Sequence, residues 1–101
     1  MGNAEVAESD EVSVSVGDTV TLRLPENATT GYVWSVSDLG PGLVLDEDRI
    51  VPSRDGAPGA AGDHLFQLRA DRSGEWRVDL RLARDWESDA LEERQIRVRV
   101  G

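Results

Sequence analysis

The chain has no cysteine, no lysine and a single histidine, and no apolar run approaches the roughly 20 residues that cross a bilayer as a helix. Each absence removes a class of function. Without cysteine there is no disulfide framework, no thiolate nucleophile and no Cys-based metal site, and the redox state of the compartment stays open. No basic segment leads into an apolar stretch, so no signal peptide is recognisable; a periplasmic or secreted placement is favoured over the cytoplasm without being fixed. The eleven basic residues are all arginine and face twenty acidic ones, a formal net charge of −9. That balance argues against nucleic acid, whose binders need clustered cations to displace phosphate counterions, and against anionic membrane surfaces. Arginine without lysine fits a high-GC prokaryotic coding bias, and the acidic excess fits a salt-adapted surface. Unfolding followed in molar KCl tests the second reading, and stability that does not rise with salt removes it.

What is present is alternation. At 101 residues the chain suits one domain with a modest two-layer core. Residues 1–10 read as a flexible acidic leader and residues 11–101 as the domain. Val12, Val14 and Val16 alternate with serines up to a Gly17-Asp18 turn, and Val20, Leu22 and Leu24 alternate with Thr21 and Arg23 up to Pro25. Tyr32, Trp34 and Val36 share one face of a third strand. Gly40-Pro41-Gly42 breaks the chain and Leu43-Val44-Leu45 resumes it; after Asp46-Glu47-Asp48 comes another short extended piece, Arg49-Ile50-Val51. From Pro52 to Asp63 runs an aperiodic stretch longer than a hairpin requires. Phe66 and Leu68 open the next strand, ending near Ala70. Trp76, Val78, Leu80 and Leu82 face inward on the following one, opposite Arg77, Asp79 and Arg81. Ile96, Val98 and Val100, alternating with Arg97 and Arg99, form the last. Apolar residues nowhere recur at helical spacing over a useful length. About seven or eight short strands, apolar on one face and charged on the other, predict an all-β, immunoglobulin-like β-sandwich. The outward arginines and aspartates of the last two strands are placed to pair across the sheet, chiefly as a solubility device.

Catalytic chemistry finds little support. His64 stands at a loop-to-strand junction without a nucleophilic serine motif nearby, and is expected to be an ordinary half-exposed strand residue. Asp46-Glu47-Asp48 lacks the spacing of a calcium loop and reads as solvated charge. No enzyme, cofactor or metal is expected. Trp34 and Trp76 fall in phase with apolar faces and read as sandwich filling. Trp86 does not: within Arg84-Asp85-Trp86-Glu87 it stands among charges, and an exposed Trp beside Arg is an enriched anchor of binding sites. Gly59-Ala60-Ala61-Gly62 would let a partner backbone approach closely. Asn27-Ala28-Thr29-Thr30-Gly31-Tyr32 sets small residues directly before two large rings. Alternate connections of a sandwich emerge at the same end, so these three segments are expected to form one tripartite surface.

On these segments the chain resembles the chagasin family, protein inhibitors of papain-like cysteine peptidases. The family pattern is an N-P-T-T-G-aromatic turn with Trp shortly after, a G-x-G-G loop leading to a Phe strand, and an R-P-W loop. Asn27-Ala28-Thr29-Thr30-Gly31-Tyr32 with Trp34 matches the first, Gly59-Ala60-Ala61-Gly62 with Phe66 the second, and Arg84-Asp85-Trp86 the third; Ala28, Ala61 and Asp85 are the departures. The resemblance implies a competitive, reversible inhibitor, monomeric when free, whose three loops occlude the peptidase cleft. Thr29, Thr30 and Gly31 would lie nearest the catalytic cysteine, the Gly59–Gly62 loop would flank the cleft, and Arg84 with Trp86 would pack on the opposite wall. The alternative is an immunoglobulin-like adhesion module in which the same loops bind protein or carbohydrate and no peptidase is involved.

Overall fold

The computed structural model describes residues 3–6, 11–27, 30–52 and 61–101. They form eight strands: β1 (Asn3–Val6), β2 (Glu11–Val14), β3 (Thr19–Asn27), β4 (Val33–Leu39), β5 (Leu43–Pro52), β6 (Ala61–Ala70), β7 (Gly74–Ala83) and β8 (Glu92–Val100). Two four-stranded sheets result, ordered β1-β3-β6-β5 and β2-β8-β7-β4. The two outermost N-terminal strands pair in parallel, β1 with β3 and β2 with β8; all other pairings are antiparallel. The expected all-β sandwich is what forms.

The inward positions of the alternating strands meet between the sheets. Val20, Leu22 and Leu24 of β3 with Phe66, Leu68 and Ala70 of β6 come from one sheet. Val78 and Leu80 of β7 with Ile96, Val98 and Val100 of β8 come from the other, and Trp34 of β4 and Leu43 of β5 join them. At about 25 cal/mol per Å² of apolar surface, this shared layer is the main force holding the sheets face to face. The outward faces carry the ion pairs anticipated for β7 and β8, though with glutamates as the main partners. Arg99 Nε donates to Glu75 Oε1 at 3.0 Å across the β7–β8 ladder, and Glu11 of β2 reaches Arg97 and Arg99 at 3.9 and 3.6 Å.

Several strand boundaries depart from the sequence reading: β2 stops at Val14, short of Val16, and β6 begins at Ala61, within the stretch read as aperiodic. Within the leader expected over 1–10, Asn3–Val6 is a strand registered on Thr19–Leu22. Joining an open edge requires only backbone groups, and four residues are too few to display a period. The piece at 49–51 is not separate: β5 runs unbroken from Leu43 to Pro52, with a bulge between Leu45 and Glu47. The acidic triplet is tolerated because β5 is an edge strand with these carboxylates largely exposed, one of them near Arg69 at 3.2 Å. Lastly, β3 continues through Pro25 to Asn27. The register of β1 stops at Leu22, so beyond it β3 is an edge on that side and proline's missing N–H leaves no ladder partner unserved.

Trp76 also differs from simple core filling. It is half-buried and closes the end of the sandwich where β4 turns into β5 and β6 into β7. Its indole rests against Gly42 and Gly74 and its Cβ against Gly40, its Nε1 donates to Arg72 O at 2.9 Å, and Arg72 in turn donates from Nη2 to Pro41 O at 3.0 Å.

Candidate functional site

The other end of the sandwich brings together the described parts of the three segments singled out from sequence. Asn27 pairs with Ala61 and Glu26 with Gly62, so the end of β3 lies beside the start of β6. Val33 pairs with Ala83, so the start of β4 lies beside the end of β7. The connection from β3 to β4 therefore runs from one sheet to the other, between the start of β6 and the end of β7. Ala28, Thr29, Gly59 and Ala60 lie outside the described residues; Ala61 and Gly62 open β6.

The central loop is braced from within. The Thr30 hydroxyl donates to Asn27 O at 2.8 Å and accepts from Tyr32 N at 3.3 Å. Gly31 sits at φ 81°, in the left-handed region that residues with a Cβ adopt reluctantly. It is also closely overlaid: a Cβ there would meet Trp86 Cη2 at 2.9 Å. Behind the loop, Trp34 N donates to Glu26 Oε1 at 2.6 Å and Trp34 Nε1 to Pro25 O at 3.0 Å, so the buried indole holds the root of the loop to β3.

The third segment is a turn, Glu87 N donating to Arg84 O at 3.1 Å. Arg84 does more than was expected of a wall contact. Its Nε donates to Thr30 O at 3.0 Å and its Nη1 to Glu87 Oε1 at 3.0 Å. Its guanidinium carbon stands 4.2 Å above the Tyr32 ring and 5.8 Å from the Trp86 ring. One planar cation thus ties the first segment to the third and is largely committed inside the protein. Trp86, held by Arg84 and laid along Gly31, is still 73% exposed. Asp85 is exposed beside it at the turn.

Beneath the central loop lies a cluster that sequence reasoning missed. His64 is not half-exposed: it is 5% exposed and stacked on Phe66, centroids 4.3 Å apart and planes 7° from parallel. Its Nδ1 is 2.9 Å from Glu26 Oε1 and its Nε2 hydrogen-bonds Asp48 Oδ1. Glu26 is nearly fully buried, at 9%. A signal existed in the strand phase. Glu26 follows Val20, Leu22 and Leu24 at period two, and His64 precedes Phe66, Leu68 and Ala70 at period two, so both were bound to point inward.

Comparison with known proteins agrees with this architecture. The sequence matches the family described as Chagasin family peptidase inhibitor I42 over residues 13–100. Chagasin of Trypanosoma cruzi is 28% identical over 80 residues, covering 74% of this chain and 73% of its own length. The crystal structure of a cysteine protease inhibitor from Entamoeba histolytica superposes with a TM-score of 0.82 at 22% identity, covering 99% of this chain and 96% of that one. The structure of PbICP-C in complex with falcipain-2 superposes with a TM-score of 0.59 at 16% identity, covering 98% and 89%. At such identities the two structures speak for the fold, and the family match speaks for kinship. With residues 13–100 accounted for by that match, the chain belongs to the chagasin family of peptidase inhibitors.

Proposed function

We propose that the domain is a competitive, reversible inhibitor of papain-like cysteine peptidases, with the three-loop end as the surface that occludes the cleft. The observation that carries this reading is the Arg84 clamp, which leaves Trp86 exposed beside an internally braced Thr30–Gly31 turn. Such a surface enters a cleft with little conformational freedom left to lose. The Thr30 carbonyl accepts from Arg84 Nε, so the clamp holds the backbone of the turn as well as its side chains. The family's kinship and the neighbour bound to falcipain-2 fix the class of partner proposed.

The test is a steady-state assay of papain or a cathepsin L-type peptidase with increasing inhibitor. A rise in apparent KM at constant kcat is expected, together with an intact inhibitor chain after prolonged incubation. Thr30→Ala removes the bond to Asn27 O and should weaken inhibition about tenfold, equivalent to about 1.4 kcal/mol. Full peptidase activity at micromolar inhibitor across several such enzymes would overturn the proposal.

A further inference from the structure

The cluster Glu26–His64–Asp48, buried at Glu26 and His64 and about half-exposed at Asp48, is not used by any step of peptidase occlusion, yet it joins three strands directly under the central loop. Glu26 ends the inward face of β3, His64 begins that of β6, and Asp48 belongs to the edge strand β5. Glu26 Oε1 is shared: it accepts from Trp34 N, at the root of the loop, and faces His64 Nδ1. Whatever His64 does to Glu26 is therefore felt at the first residues of β4.

Both ring nitrogens of His64 face a carboxylate oxygen. A carboxylate has no hydrogen to give, so satisfying both contacts takes two N–H donors, which only the doubly protonated ring supplies. The neutral ring has one N–H, and its bare nitrogen would then oppose a carboxylate lone pair at close range. The same proton could sit on either acid without changing the count, so it belongs to the cluster of three. Among the described residues no other charged group shares this pocket. Arg23 and Asp63 lie on the outer face of the same sheet, paired with each other at 2.6 Å; Arg49 also points outward, 3.2 Å from Glu47; β4 contributes the uncharged Trp34. The flat stacking on Phe66 adds a ring face to the cation.

We propose that His64 is a positioning residue for the inhibitory end: doubly protonated, it draws Glu26 and Asp48 together beneath the β3–β4 loop, and losing that proton loosens the loop. The neutral ring keeps one N–H for two carboxylates, so the grip is strongest at the acid end of the pH range and relaxes toward the alkaline end. The effect on affinity rests on the peptidase-inhibitor reading above; the effect on the free protein does not.

Because His64 is the only histidine, its ring nitrogens give a single set of signals in ¹⁵N-labelled protein. In acid both nitrogens should carry protons, and on raising the pH the backbone amides of Thr30, Gly31 and Trp34 should shift along the same transition as the ring. His64→Gln, which keeps a donor but cannot titrate, should abolish that shared transition. Measured against one peptidase at both ends of this range, so that the enzyme's own pH dependence cancels, the affinity ratio of parent to His64→Gln should fall about fivefold, the worth of one hydrogen bond. A neutral ring across the range, or a ring that titrates while the three amides stay still, overturns the proposal, and the parent protein alone gives that answer if the variant fails to fold. Shared NMR transitions without any inhibition would leave the positioning role standing and remove the peptidase reading.

Discussion

Trp86→Ala is expected to weaken inhibition of a papain-like peptidase about a hundredfold, close to 2.7 kcal/mol, while shifting stability by no more than about 0.5 kcal/mol. The separation between the two effects follows from where the indole sits. At 73% exposure it buries little on folding, so its removal leaves the core unchanged. In a complex the same ring would be covered on its remaining faces. It arrives there already oriented, with Arg84 at 5.8 Å and the ring edge against Gly31. Truncation forfeits the area and the preorganisation together. Trp86→Phe retains part of the area and should fall between the two. Inhibition constants and thermal midpoints measured side by side decide the matter: a Trp86→Ala variant that inhibits like the parent would sink the assignment of this end as the contact surface, and one that melts far lower would mean that Trp86 is structural.

The second large effect lies at the opposite end. Gly42→Ala should destabilise the domain by about 3 kcal/mol, lowering the thermal midpoint by about 15 °C. A Cβ on Gly42 would fall 2.1 Å from Trp76 Cε2 and 2.3 Å from Nε1. The backbone has no room to retreat, because Gly42 O accepts from Asp71 N at 2.9 Å and Arg72 N at 3.2 Å, and Gly40 O accepts from Leu43 N at 3.0 Å. The indole must leave instead, losing its packing and its bond to Arg72 O. A double-mutant cycle isolates this cause: in a Trp76→Ala background the additional cost of Gly42→Ala should largely vanish. Equal costs in both backgrounds, or a Gly42→Ala protein as stable as the parent, would remove the explanation. Folded Gly42→Ala should still inhibit, since the two ends are separated by the length of the strands.

These two glycines differ in how readable they were. Gly31 announces itself in a turn before Tyr32 and Trp34, whereas Gly42 stands in a Gly-Pro-Gly run that reads as an ordinary break. What a strand hides beneath a side chain depends on a residue more than thirty positions away. The same limit governs the site. Alternation was enough to infer the sandwich, and the sandwich was enough to bring 27, 30–31, 61–62 and 84–86 to one end, because connectivity dictates where strand ends lie. The inward work of Arg84 was not legible, since a guanidinium between two aromatics can face a partner or its own chain, and only the geometry chooses. Glu26 and His64 are legible in phase, but neither residue alone announces the contact; their meaning lies in the pair. β1 escaped because a four-residue parallel edge carries no pattern of its own.

The parallel pairing of β2 with β8 has a mechanical consequence. In that ladder Glu11 lies opposite Arg97 and Val14 opposite Val100, so the chain enters β2 at one end of the ladder and leaves β8 at the other. Tension transmitted through the flanking chain pulls the two strands lengthwise past each other, loading their hydrogen bonds in shear, so that the bonds yield together and not one by one as in a zipper. Resistance to forced unfolding is set by the barrier to that concerted slip. Because Asn3 and Val100 lie at the same end of the sandwich, traction on the ends meets the β1–β3 pairing first and reaches the β2–β8 ladder when β1 has parted.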